Sequence, residues 1–524
     1  MQSYRLTIDR FLDHAAKWWG EREIITADSG RVGYAALRER SNLLSGALAR
    51  LGLKFGERVG TLAWNTQHHL EIYYAAMGAG YVCHTLNPRL TVAHLSAMVN
   101  EAEDRVLAVG VGLADLAAEL VRNCPSLQAV VQLDGEEPNP GAFAGRQVFG
   151  LERLLREFGA ATNWGEFAED APSGLCYTSG TTGPPRGVLY THRSSYLHTL
   201  RALQADALAL TAADTVLVAV PMFHANAWGF PFAAPAVGAR MVLPGRYSDG
   251  ARLAALIRKE QVTVAAGVQT VWHGLLDHLD AEGGDVPSLE RVVIGGARCP
   301  DALIQRMESR LRARVQTSWG MTELSPLGTI APARGSARAV ASGRAPVGLD
   351  LKLTDAAGAT LPQQRNVTGH LKVKGASVVD RYFGAEHSAL DAEGYFDTGD
   401  LATIDDHGNL TIAGRTKDLI KSGGEWINPG EIETLIGRLP GVGQVAVIGR
   451  VDPKWGERPL LVVEPQKGHA LDEQMLLSAL RGAVADWWIP DRVIQVASMP
   501  LSGTGKIDKV RLRVKYGGME PAAD

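Results

Sequence analysis

Between Tyr177 and Gly187 the chain reads Tyr-Thr-Ser-Gly-Thr-Thr-Gly-Pro-Pro-Arg-Gly. Four hydroxyls and two glycines occupy Thr178, Ser179, Gly180, Thr181, Thr182 and Gly183. The chemistry such a string can do is anion binding. Glycines let backbone N–H groups come close to a phosphate, hydroxyls add donors, and Arg186 supplies a charged fork of N–H groups. The Walker pattern GxxxxGK[ST] is absent. The next helical pattern starts only near Thr191, so the loop is expected to join two strands and to gain little from a helix dipole. Gly-Thr-Thr-Gly alone would suit a plain surface loop equally well, but the whole string favours phosphate.

Further reactive side chains fall at intervals along the chain. In Ser318-Trp-Gly-Met-Thr-Glu323, Trp319 offers a flat face for a base and Glu323 a hard oxygen for Mg²⁺. Taken alone they read as a core tryptophan and a surface glutamate. Tyr395-Phe-Asp-Thr-Gly-Asp-Leu401 carries Asp400, whose two oxygens suit paired hydroxyls, although a turn aspartate looks the same. Pro500-Leu-Ser-Gly-Thr-Gly-Lys506 puts a lysine on a flexible loop, where a mobile cation can neutralise charge growing on a phosphate. Pro221-Met-Phe-His-Ala-Asn-Ala-Trp228 places His224 just past an apolar run; a lone histidine there is more often structural than catalytic.

These strings, in this order, resemble the acyl-adenylate-forming superfamily of acyl-CoA synthetases, luciferases and adenylation domains, with medium- and long-chain fatty acyl-CoA synthetases nearest. The resemblance runs over essentially the whole chain and implies an ATP-dependent ligase that joins a small-molecule carboxylic acid to coenzyme A through acyl-AMP, with Mg²⁺ as cofactor. It departs at Arg186, where the family usually carries lysine. By resemblance, Thr178 and Glu323 hold Mg²⁺ and Thr322 meets the α-phosphate. Gly295, Gly296 and Ala297 wall the adenine, next to Thr317, Ser318, Trp319, Gly320 and Met321. Asp400 takes the ribose with help from Arg415, and Lys506 is the catalytic lysine. His224 borders the acyl carboxylate, and Trp228 matches the gate of a fatty-acid tunnel lined with Ala225, Ala227 and 268–272, starting at Val268. Lys417 matches the hinge; rotation there would exchange Lys506 for Lys421, Ser422, Gly423, Gly424, Glu425 and Trp426, whose glycines admit the pantetheine arm. Transfer to a carrier-protein thiol, or action on aryl-alkanoic or thioether acids, is the alternative within the same fold.

Positioning these groups takes several layers of structure. The first 170 residues alternate helical patterns such as 34–53 with short apolar strands such as 58–63. Between 175 and 320, apolar runs at 216–220, 262–266 and 291–294 alternate with helical stretches at 251–260, 270–279 and 300–312. That is the rhythm of a layered α/β domain with a largely parallel sheet. From 348 to 413 short strands and turns predict a small antiparallel sheet or β-barrel. After 418 the pattern is helix 431–438, strands 444–449 and 460–463, helix 472–486 and strand 492–497. The expected fold class is therefore α/β. A large N-terminal domain (1–416) of layered sheets plus a small barrel carries a small mobile α+β domain (417–524).

Composition narrows the function classes. A net charge of -4 gives no basic surface for nucleic acid or anionic lipid. Cys83, Cys124, Cys176 and Cys299 lie far apart, as small buried groups in a reducing compartment rather than a disulfide frame. Neither a secretion signal, a peroxisomal tail nor an apolar run of membrane-spanning length is apparent. The expectation is a cytoplasmic enzyme without membrane insertion, with a homodimer as a conceivable assembly. His68, His69 and Glu71 are expected to face different ways on a helix, and Asp405–Asn409 to be a hairpin turn rather than a calcium loop.

Overall fold

The computed structural model describes the chain except residues 28, 136–138, 179–184, 335–340, 424, 467, 503–505 and 519–524. Two mainly parallel sheets dominate. One has seven strands, ordered Gln147–Gly150, Ala129–Gln132, Val106–Val109, Arg58–Leu62, Val82–Thr85, Pro172–Tyr177 and Gly187–Thr191. All its pairs are parallel except the last. The other has eight strands, with Arg291–Gly295, Val264–Val268, Thr215–Val218, Arg240–Leu243 and Glu23–Thr26 parallel at its centre. The sharp α/β alternation of the sequence is thus realised, with strand and helix ends shifted by a few residues.

Helices divide by whether one or both faces are covered. Gln67–Gly78 is buried all round from His69 to Gly78, because it lies in the core between the two sheets. Its one carboxylate there, Glu71, is matched by Arg40 at 2.8 Å and by Gln67 at 2.9 Å. Such pairing is the condition for keeping a charge in a core. His69 of the same helix is also committed, with its ring nitrogens on the Trp64 carbonyl and the Thr61 hydroxyl. Gly250–Glu260, Gln269–Glu282 and Asp301–Leu311 bury one stripe each and cover the outer face of the eight-stranded sheet.

The antiparallel region is a sheet and not a closed barrel. Leu349–Thr354, Thr368–Gly375, Phe396–Ile404 and Leu410–Arg415 pair in chain order, and no pairing joins the two outer strands among the described residues. Its apolar face closes against Val188, Tyr190, Trp319 and Leu324, so the partner that a barrel would have supplied from itself comes from the larger sheets. The Asp405 turn is a hairpin as expected, with Oδ1 accepting the His407 and Asn409 amides at 2.9 and 2.7 Å.

The C-terminal sheet runs Glu425–Ile427, Ile420–Ser422, Gly456–Pro465, Val442–Asp452, with Arg492–Gln495 parallel to Gly456–Pro465. The helix expected over 472–486 stops at Glu473–Ser478. Beyond its cap at Ala479, Arg481 bridges to Val484 around Gly482 at φ +74°, a left-handed conformation that no helix continues through. Two α/β layers and a smaller α+β unit are therefore present.

Candidate active site

The phosphate string connects two antiparallel strands. Its neck is closed by the Thr178 amide donating to the Arg186 carbonyl at 2.9 Å and the Arg186 amide to Thr178 Oγ1 at 3.2 Å. The expected ligands at Ser179, Gly180, Thr181, Thr182 and Gly183 lie outside the described residues. Arg186 is exposed, with its guanidinium 4.1 Å from the centroid of the Tyr382 ring.

Ser318 to Glu323 leaves the C-terminal end of Arg314–Gly320, where ligand sites of parallel sheets collect. Glu323 is buried, and Tyr382 donates its O–H to Glu323 Oε1 at 2.8 Å. Burial, then the neighbouring carboxylate, pushes the Tyr382 hydroxyl well above its usual pKa, so it stays a donor. Tyr190 O–H holds the Thr322 carbonyl at 2.8 Å. Behind them, His198 Nε2 accepts the Leu327 amide at 3.0 Å, and buried Arg201 donates to Ser377 at 2.7 Å. Burial alone lowers Arg201 to about 10, still charged at neutral pH.

Trp319 is tied down. Only 8% of it is exposed, Gly328 lies against its ring, and its N–H donates to Asp400 Oδ2 at 2.9 Å. The expected free stacking face is thus largely covered, and what the ring does is hold a carboxylate. Arg415 Nε meets the other oxygen of Asp400 at 2.8 Å. Burial raises the Asp400 pKa, opposed by Arg415, Trp319 and Lys506 in that order.

Lys506 joins this cluster from the other domain. The Ser502 amide donates to its carbonyl at 2.7 Å, and Leu501 is bridged to Ile507. Its pKa is pulled down to about 8, first by burial and then by Arg415, while Asp400 and Glu323 act the other way. His224 falls to about 4, from burial and from Lys506, and is neutral at pH 7. So Lys506, Asp400, Glu323, Arg415 and His224, far apart in sequence, share one electrostatic site. Lys417 is close enough to lower Lys506 further, and its own pKa is lowered by burial and by Arg415.

The segment that carries His224 is braced across the two sheets. Asn65 donates to the carbonyls of Val218 and Val220 at 2.8 Å and accepts the Met222 amide at 2.7 Å. After His224, Ala225, Asn226, Ala227 and Trp228 all have φ between +42° and +56°. A left-handed run of non-glycine residues costs about 1–2 kcal/mol each, and strain of this kind concentrates at functional sites. It lays the Trp228 ring against Gly295, where a side chain would meet the indole at 3.1 Å. Ala297, Thr317, Ser318 and Thr411 line a small pocket next to this point. Val268 borders Gly296. Ala227, expected in the acyl pocket, is instead fully buried in the inter-sheet core, and Trp272 packs in the outer core with its N–H on the Gly267 carbonyl.

Lys421, Ser422, Gly423, Glu425 and Trp426 form an edge hairpin of the C-terminal sheet. Its polar partners are Trp455, Glu457 and Arg458 of the same domain, so it is not part of the cluster around Lys506. Gly424 is outside the described residues. Sequence reasoning missed Tyr382, Tyr190, Asn65, His198 and Arg201. Each acts on residues distant in the chain, and none sits in a motif.

The donor set fits Mg²⁺ and a nucleotide. Tyr382 engages only one oxygen of Glu323, and Asp400, held by donors on both oxygens, keeps acceptor capacity for hydroxyls. Comparison with known proteins agrees with this geometry. The model of the AMP-binding enzyme family matches residues 12–383, and that of the AMP-binding enzyme C-terminal domain matches 431–506. The medium-chain-fatty-acid–CoA ligase of Ectopseudomonas oleovorans is 41% identical over 99% of this chain and 97% of its own. The 3-methylmercaptopropionyl-CoA ligase of Ruegeria pomeroyi is 42% identical over 98% and 97%. The ATP-bound crystal structure of MatB from Rhodopseudomonas palustris superposes with a TM-score of 0.85 at 26% identity, covering 98% of this chain and 99% of that one. By motif order, fold and full-length similarity, this chain belongs to the AMP-binding enzyme family.

Proposed function

We infer that the protein is an AMP-forming acid–thiol ligase: carboxylic acid, ATP and coenzyme A give acyl-CoA, AMP and diphosphate. The observation that carries this reading is Lys506, delivered by the C-terminal domain to Asp400, Glu323 and His224. The carboxylate attacks the α-phosphorus of ATP, the α–β bridge breaks, and diphosphate leaves with its electron pair. Lys506 offsets the charge that builds on the α-phosphate, aided by Thr322, in a site where burial strengthens each interaction. Thr178 and Glu323 would hold Mg²⁺, which when bound would supply charge to screen the phosphates. Asp400, positioned by Trp319, and Arg415 grip the ribose, the 178–186 segment the β- and γ-phosphates, and Gly295–Ala297 with Thr317, Ser318, Gly320 and Met321 the adenine. Neutral His224 borders the acyl carboxylate without adding a competing positive charge.

In the second stage the coenzyme A thiol loses its proton to solvent and attacks the acyl carbonyl of acyl-AMP, the acyl–phosphate bond breaks, and AMP leaves with its electron pair. Lys421–Trp426 would reach the site for this step by rotation at Lys417, which divides a domain of 1–416 from one of 417–524. In support, the antiparallel sheet ends at Arg415, a single turn follows over Thr416–Asp418, and the C-terminal sheet starts at Ile420. Trp228 and Val268 bound the acyl side, and the preferred substrates are medium or long fatty acids, with thioether acids as the alternative; the names of the two relatives, a medium-chain-fatty-acid–CoA ligase and a 3-methylmercaptopropionyl-CoA ligase, support the medium-chain and thioether classes. No described helix is long and apolar enough to cross a membrane. The four free cysteines suit a cytoplasmic location, and a homodimer is the assembly to examine by light scattering.

The test is mass spectrometry of the purified protein with Mg·ATP, coenzyme A and a panel of fatty, branched, aryl-alkanoic and thioether acids. Acyl-CoA with stoichiometric AMP is expected. Acyl-AMP without thioester would point to another acceptor, such as a carrier protein, and the absence of both products would overturn the assignment.

A further inference from the structure

One aromatic side chain connects the phosphate loop to the carboxylate expected to hold the metal. The segment from Val379 to Phe383 is pinned at both ends. The Val379 amide donates to the Glu323 carbonyl at 2.8 Å, and the Phe383 amide to the Gly187 carbonyl at 2.7 Å, where the loop returns to its sheet. Tyr382, within that strap, packs edge-on against Phe396 with ring centroids 6.4 Å apart. Its hydroxyl reaches Glu323 Oε1 at 2.8 Å while its ring lies 4.1 Å from the Arg186 guanidinium.

The two contacts differ in chemistry. A neutral O–H donating to a carboxylate is a charge-assisted bond that fixes the carboxylate rotamer and leaves the second oxygen for a cation. A guanidinium stacked on a ring is held by its flat face, so its N–H groups stay available for phosphate oxygens. A ring anchored at both strap ends therefore sets the spacing between the loop's cation and the metal's carboxylate.

We propose that Tyr382 is a positioning residue for the phosphate–metal end of the site, its hydroxyl orienting Glu323 and its ring seating Arg186. This rests on the reading of Glu323 as a metal ligand, so the experiment carries its own control. Mn²⁺ binding to the full-length enzyme with α,β-methylene-ATP is followed by electron paramagnetic resonance for wild type, Tyr382→Phe and Glu323→Gln. Tyr382→Phe keeps the ring and loses only the O–H, and should weaken Mn²⁺ about tenfold. Excess Mg²⁺ should restore its kcat, which a folding defect would not allow. Wild-type Mn²⁺ affinity in Tyr382→Phe alongside weakened binding in Glu323→Gln overturns the proposal alone. Wild-type affinity in Glu323→Gln removes the ligand reading beneath it. For the ring, Arg186→Leu and Tyr382→Leu should each weaken the nucleotide analogue, and the double variant should be little worse than either. Simple addition of the two effects would refute the seating of Arg186.

Discussion

Lys506 and the hairpin that carries Trp426 belong to the same small domain, yet only Lys506 faces the N-terminal site. Lys506 is partly buried and responds to Arg415, Asp400, Glu323 and Lys417. Trp426 is 54% exposed, and its hairpin bonds to Trp455, Glu457 and Arg458 of its own domain. The bonds that hold each part differ accordingly. Within the domain, Asp418 and Arg513 pair at 2.7 Å with both side chains largely buried, and a continuous apolar core lies under the sheet. Across to the large domain, Arg438 reaches Asp301 at 3.0 Å and Arg298 reaches Thr434 at 2.7 Å, both near the surface. Exposed pairs are worth about 0–1 kcal/mol. Contacts inside the small domain are thus buried, whereas these two bonds to the large domain lie near the surface, a contrast that the proposed exchange of faces would use.

The sharpest way to break this comparison is Lys506→Ala. Adenylation, read as ATP–diphosphate exchange, should fall by about 10³-fold, while ATP binding persists and added acyl-AMP is still converted to thioester. Unchanged exchange would sink the lysine's role. The pH profile comes next. Lys506 acts as a cation, and with its pKa pulled down to about 8 it loses charge as pH rises through that value. The kcat/KM for adenylation should be flat below and drop about tenfold per pH unit above. His224, at about 4, adds no limb near neutrality. In Lys506→Arg the guanidinium stays charged, so the alkaline limb should vanish; a limb that stays put belongs to another group.

Trp426→Ala addresses the opposite face. Thioester formation from acyl-AMP should slow about tenfold, the value of one lost aromatic contact of about 1.4 kcal/mol, with exchange unaltered. Equal losses in both half-reactions would contradict the division of labour. The smallest effect is expected for Arg438→Ala. Removing one exposed interdomain pair should shift the balance between the half-reactions by less than about fivefold, measured as the ratio of exchange to thioester rates.

What could be read directly was whatever rests on short-range pattern. The 3.6-residue and two-residue periodicities placed the sheets and their covering helices to within a few residues. Where a local pattern met a distant partner, it failed. The alternation over 348–413 fits an antiparallel sheet or a barrel equally, and which of them forms depends on Tyr190, Trp319 and Leu324 filling the open face. The 472–486 helix is cut short near a left-handed Gly482 that the apolar periodicity conceals.

By itself the sequence determined the order of layers, the loop chemistry and the identity of the charged groups, because these follow from residue type and local spacing. Tertiary structure alone decided how those groups meet. Trp319 is bound to Asp400 across 81 positions, and Tyr382 to Glu323 across 59. The left-handed turn after His224 contains alanine, asparagine and tryptophan, of which only asparagine is at all common at a positive φ. It exists because Asn65 and the surrounding core hold both the approach and the exit, supplying energy that no local preference contains.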